Sequence, residues 1–174
     1  MYMRETKKLA LSALLVALGT VFMMLGSFVE VLDLTVCALA SVIIAFVYIE
    51  LGSPYTWLVW LATSLCTAVL GGVLWMEYLL IFGIYPILKA YIEKLRRGAW
   101  IPLKLLFANV ACVLIHILSK LVIGTSLFDA ESRLMVILTV VIMNVAMIAY
   151  DYFLNVMVRF YYDKLRDRVK RFLK

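Results

Sequence analysis

Leu9-Ala10-Leu11-Ser12-Ala13-Leu14-Leu15-Val16-Ala17-Leu18-Gly19-Thr20-Val21-Phe22-Met23-Met24-Leu25-Gly26-Ser27-Phe28-Val29 is 21 residues without a charged side chain. As a helix rising about 1.5 Å per residue it covers about 30 Å, the thickness of a bilayer's hydrocarbon core. The run is too long for a signal-peptide core, and Glu30 and Asp33 stand where a small-residue cleavage site would lie. It reads as a retained transmembrane helix. The rest of the chain agrees: of 174 residues, 66% are hydrophobic and 16% charged, with a mean hydropathy of +1.04. Soluble domains are about 45–50% apolar and about 25% charged, so an ordinary soluble domain is excluded.

With about 20 residues per span, the length allows six spans and almost no extramembrane domain. Breaks by charge, glycine or proline place them at Leu9–Val29, Leu34–Ile49, Tyr55–Leu74, Glu77–Ile92, Trp100–Ile123 and Leu134–Phe153. No repeat, low-complexity segment or linker divides the chain. The expected fold is all-α: a polytopic membrane protein forming one compact bundle of six transmembrane helices, a single domain over residues 1–174.

Basic residues set the orientation. Arg4, Lys7 and Lys8 precede the first span, Lys94, Arg96 and Arg97 follow the fourth, and seven more lie between Arg159 and Lys174. Glu30, Asp33, Glu77, Asp129 and Glu131 gather on the opposite side, so both termini are expected in the cytoplasm. The net charge of +6 is then a topology signal, and no nucleic-acid partner is needed to explain it. Trp57, Trp60 and Trp100 fall near inner boundaries and Trp75 near an outer one, as interface anchors do. Over 161–174, Tyr161, Leu165, Val169 and Phe172 recur at helical spacing among basic residues. This basic amphipathic tail either lies on anionic membrane lipids or is a solvated segment that enforces topology.

Several chemistries are missing. None of the eight glycines precedes a lysine, so there is no phosphate-cradling G-x-x-x-x-G-K-[ST] loop. There is no H-E-x-x-H, no G-x-S-x-G and no paired intramembrane aspartates. Cys37, Cys66 and Cys112 sit singly in apolar runs and, with one histidine, do not make a metal site. No enzymatic activity and no cofactor are expected.

Ionisable groups within a bilayer are costly and need partners or a wet cavity. In the fifth span Asn109, His116 and Lys120 share one face, and in the sixth Asn144, Asp151 and Asn155 do. Counting residues from the span ends divides them by depth. Lys104 and Asp151 fall together near the inner side as a structural ion pair. His116, Lys120 and Asn144, with Trp75 and Glu77 nearby, are expected to line an outward-facing site for a small molecule. His116 also reads as a satisfied core histidine, and Lys120 as a snorkelling one. In the first span Ala10, Ala13 and Ala17 form a narrow smooth stripe that suits close approach by another helix, inside the bundle or from a second protein.

The opening Thr6-Lys7-Lys8-Leu9-Ala10-Leu11-Ser12-Ala13-Leu14-Leu15-Val16-Ala17-Leu18 and the Leu51-Gly52-Ser53-Pro54 turn resemble the substrate-binding S components of energy-coupling factor (ECF) transporters. The likeness covers the chain in architecture and about its first 75 residues in motif. It implies capture of a small molecule such as a vitamin at the outer face of a bacterial or archaeal cytoplasmic membrane. It also implies partners: a transmembrane T subunit docking on Ala13 and Ala17, and two ATPase subunits that supply the energy. No residues match those that identify a riboflavin, thiamin, biotin or folate binder, so the ligand does not carry over. The rival reading is a non-transporting scaffold of similar size and helix number, like the MreD-type proteins of cell-elongation machinery.

Overall fold

The computed structural model describes residues 5–28, 33–72, 74–95, 97–122 and 133–166, and no strand occurs among them. The helices are α1 Glu5–Phe28, α2 Asp33–Glu50, α3 Ser53–Val69, the short α4 Trp75–Glu77, α5 Tyr85–Ile92, α6 Trp100–Val122 and α7 Arg133–Phe160. π-helical turns cover Tyr78–Phe82 and Tyr161–Leu165. Among the described residues, five segments are long and apolar enough to cross a membrane: Glu5–Phe28, Asp33–Glu50, Trp75–Ile92, Trp100–Leu121 and Ile137–Leu165. The chain is an all-helical, multi-pass membrane protein.

The expected span Tyr55–Leu74 is the one that falls short. α3 has 17 residues, which at 1.5 Å each is about 26 Å. A Schellman motif ends it: Gly71 has a φ of +78°, its N–H donates to Ala68 O at 3.2 Å, and the Gly72 N–H donates to Thr67 O at 2.9 Å. The start of α3 is equally local, with Gly52 at φ +87° and Pro54 in the first turn.

The fourth span is interrupted. The Gly83 N–H bonds to Tyr78 O at 2.7 Å, five residues back, and Pro86 has no N–H to continue the ladder. Leu79 O, which Gly83 would serve in a regular α-helix, accepts instead from Trp60 Nε1 at 3.2 Å. Trp60 is therefore more than the interface anchor that the sequence suggests. A Cβ on Gly83 would lie 2.6 Å from Trp60 Cδ1, so the indole fits because residue 83 is glycine.

The sequence reading has one bundle; the helices fall into two compact units, one from Met1–Ile87 with Phe153–Lys174 and one from Leu88–Tyr152. In the first, α1 packs on α2 and α3 through Ser12, Leu15, Gly19, Thr20, Met23 and Gly26. The approach is close: a Cβ on Gly26 would come 3.0 Å from Leu74 Cδ1, and one on Gly19 would come 3.1 Å from Thr63 Cγ2. Three buried hydroxyls are served by their own helices, Thr20 by Val16 O at 2.9 Å, Thr56 by Gly52 O at 2.9 Å and Thr67 by Thr63 O at 2.8 Å. This meets the hydrogen-bond demand without water and leaves methyl groups to pack. The apolar core around these contacts includes Met23, Cys37, Ile44, Val59 and Tyr78.

α7 does not stop at Phe153. No glycine or proline occurs between Arg133 and Arg166, and the helix continues to Phe160 and on through the π turn. Tyr161, expected on the lipid-facing stripe of the tail, is buried in the first unit. Its hydroxyl donates to Glu50 Oε1 at 3.0 Å and its ring meets Phe46 edge-on, with centroids 5.2 Å apart. Val169 and Phe172 lie outside the described residues.

Candidate functional site

The second unit is organised around charge. Lys89 stands on the last turns of α5, Glu93 just beyond it, Lys104 one turn into α6, and Asp151 on α7. Lys89 Nζ lies 3.1 Å from Glu93 Oε1 and pairs with Asp151 Oδ1. Lys104 Nζ lies 3.1 Å from Glu93 Oε1, and 3.0 and 2.9 Å from the two oxygens of Asp151. Each lysine thus touches both carboxylates, closing a four-membered ring of alternating sign and zero net formal charge. The lysine side chains are only 9% and 10% exposed, against 32% for Glu93 and 21% for Asp151. The indole of Trp100 closes one side, with Lys104 Nζ 5.8 Å from its ring centre.

Sequence reasoning anticipates Lys104 with Asp151 and misses Lys89 and Glu93. Their i, i+4 spacing at the end of the fourth span was the available signal, since such residues share a helix face. Chemically the ring joins three helical segments, and neither lysine is available as a nucleophile or a free cation without breaking its ion pairs.

Farther along the same helices, Asn109 and Asn144 bond to each other. Asn109 Nδ2 donates to Asn144 Oδ1 at 3.1 Å and Asn144 Nδ2 to Asn109 Oδ1 at 3.2 Å. The second N–H of each goes to its own helix, at Leu105 O and Val140 O, both at 2.8 Å. Asn144, expected in an outer site with His116 and Lys120, thus has both amide N–H groups used by Asn109 and Val140. α7 has 28 residues, about 42 Å, longer than the hydrocarbon thickness.

The other expected ligand residues divide between the units. His116 is half-buried and Lys120 exposed on α6 in the second, whereas Trp75 and Glu77 stand on α4 in the first. Glu77 Oε2 is buried and has no hydrogen-bond partner among the described residues. Glu30, expected at the same rim, lies outside the described residues. Among the described residues, no three or more His, Cys, Asp or Glu side chains are placed to hold a metal ion. Ala10, Ala13 and Ala17 are all exposed, on the side of α1 away from its packed residues.

No protein-family model, curated protein or solved structure matches this chain.

Proposed function

We propose that this chain is a non-enzymatic, substrate-capturing membrane subunit, similar to ECF S components, that hands a small molecule to a T subunit and ATPase subunits for uptake. The observation that carries the reading is the exposed stripe of Ala10, Ala13 and Ala17. α1 makes its internal contacts through Gly19, Gly26 and their neighbours, so the alanine face is smooth, apolar and available for a second protein. The ligand-facing group with most support is Glu77, whose unserved carboxylate oxygen suits an amine or amide donor. In this reading α3 completes a sixth span, with both termini in the cytoplasm.

The test is co-purification of the tagged chain from its native membranes, with bound proteins and small molecules identified together. Wild type should bring ATPase and T-type membrane subunits, and Ala13→Leu with Ala17→Leu should lose them while eluting as a folded protein. Partners recovered at wild-type yield from the double variant would refute the docking role.

One observation favours the scaffold alternative: Asn144 is bonded within the protein, as are both lysines of the ring, which leaves fewer polar groups for a ligand. Recovery of envelope-assembly proteins without ATPases would select that reading.

A further inference from the structure

Residues 159–174 hold seven basic and two acidic side chains, net +5 of the chain's +6, so the remaining 158 residues are almost neutral. Part of the described start of this segment is tied down: Tyr161 is held by Phe46 and Glu50, and Arg166 Nε lies 3.4 Å from the same glutamate, its guanidinium 4.7 Å from the Tyr162 ring centre. Around it Arg159, Phe160, Tyr162, Asp163 and Lys164 are all exposed, Tyr162 also flanking Arg166, with Lys164 Nζ 5.6 Å from the Phe160 ring centre. Lys8, Lys89, Lys104 and Arg166 each meet a carboxylate, whereas Arg159 and Lys164 have none among the described residues.

We propose that Arg159, Phe160, Tyr162 and Lys164 form a docking surface for anionic phospholipid headgroups. These residues end a helix that is long and apolar enough to cross the membrane, so they emerge at headgroup depth whichever leaflet they meet. Exposed rings beside cations that meet no carboxylate among the described residues suit that layer: the rings lie among the glycerol groups and the cations reach the phosphates. The site differs from the sequence expectation, which gave Tyr161 to the lipid.

The experiment uses the full chain, purified in a neutral detergent and mixed with phosphatidylglycerol and phosphatidylcholine of identical acyl chains, and counts retained lipids by native mass spectrometry. Phosphatidylglycerol should be retained at least about fivefold over phosphatidylcholine, with the preference shrinking in high salt. Arg159→Gln with Lys164→Gln should reduce its retention by about tenfold, at roughly fivefold per charge before screening. Arg159→Lys with Lys164→Arg should preserve it, and Lys8→Gln should leave it unchanged. Equal retention of the two lipids, or an unaltered preference in the glutamine variant, would overturn the proposal. So would capture of soluble polyglutamate as strongly as the lipid, which would point to an acidic protein, or displacement by millimolar inorganic phosphate, which would point to a phosphate site.

Discussion

Helices meet by opposite means in the two units. In the first, α1 approaches α2 and α3 through Gly19, Gly26 and back-bonded threonines, with charge confined to one end, where Tyr55 donates to Glu5 and Lys8 lies over the Tyr55 ring. In the second, α5, α6 and α7 are joined by the ring of Lys89, Glu93, Lys104 and Asp151 and by the Asn109–Asn144 amide pair. Between helices in lipid the hydrophobic effect provides little drive, so association rests on close van der Waals packing or on polar groups that have no better partner. The first kind of contact is sensitive to volume. The second is sensitive to balance, because removing one charge strands the others away from water.

The sharpest way to break the comparison is Asp151→Ala, which leaves two buried ammonium groups with one carboxylate. It should destabilise the protein by about 3–5 kcal/mol, the usual cost of orphaning one partner of a buried ion pair. Thermal unfolding in detergent measures this. Adding Lys104→Met to Asp151→Ala should recover part of the loss, and strictly additive effects would show that the ring is not coupled.

Next comes Gly19→Leu, which forces side-chain atoms into the space of Thr63 and should cost about 1–3 kcal/mol as overpacking. A leucine at the exposed Ala17, two residues away, is the control. If the two leucines cost the same in thermal unfolding, the assigned faces of α1 are wrong.

The amide pair is expected to be weaker than the ring. Asn109→Leu leaves Asn144 without its partner and should cost about 0.6–1.7 kcal/mol, the range found for interhelical hydrogen bonds in membranes. Changing both asparagines to leucine should cost less than either single change, because no amide is then left unserved. A double variant worse than both singles would mean that the pair does more than satisfy itself. The smallest effect belongs to Ala13→Leu with Ala17→Leu, which should alter thermal stability by less than about 0.5 kcal/mol because both sites are exposed.

Much of the first unit was legible because its cues are local. Leu51-Gly52-Ser53-Pro54 marks the turn into α3, although only the Schellman bonds show that α3 ends at Val69 and not at Leu74. The second unit was half legible. The spacing of Asn109, His116 and Lys120, and of Asn144, Asp151 and Asn155, revealed one polar stripe per helix, and Lys104 was matched with Asp151. Lys89 and Glu93 escaped because in sequence they resemble the other charges after the fourth span, and their i, i+4 spacing puts them on one face without saying that this face turns inward. The pairing of Asn144 with Asn109 was not legible, because periodicity places each on a polar face but does not say which residue of the facing helix it meets.

By itself, then, the sequence determined that the protein is helical and crosses a membrane several times. It did so because uncharged runs of about 20 residues have no better place than hydrocarbon, and a backbone in hydrocarbon must satisfy its own hydrogen bonds within a helix. It also determined which helix faces are polar, since that follows from the 3.6-residue period alone. Only the tertiary structure decided which polar groups meet, which face of α1 is packed and which is bare, and where the fourth span gives up its regular ladder to Trp60. Those outcomes depend on register and approach between segments as distant as Lys89 and Asp151. Many pairings of polar stripes are compatible with the same periodicity, and packing in three dimensions selects one.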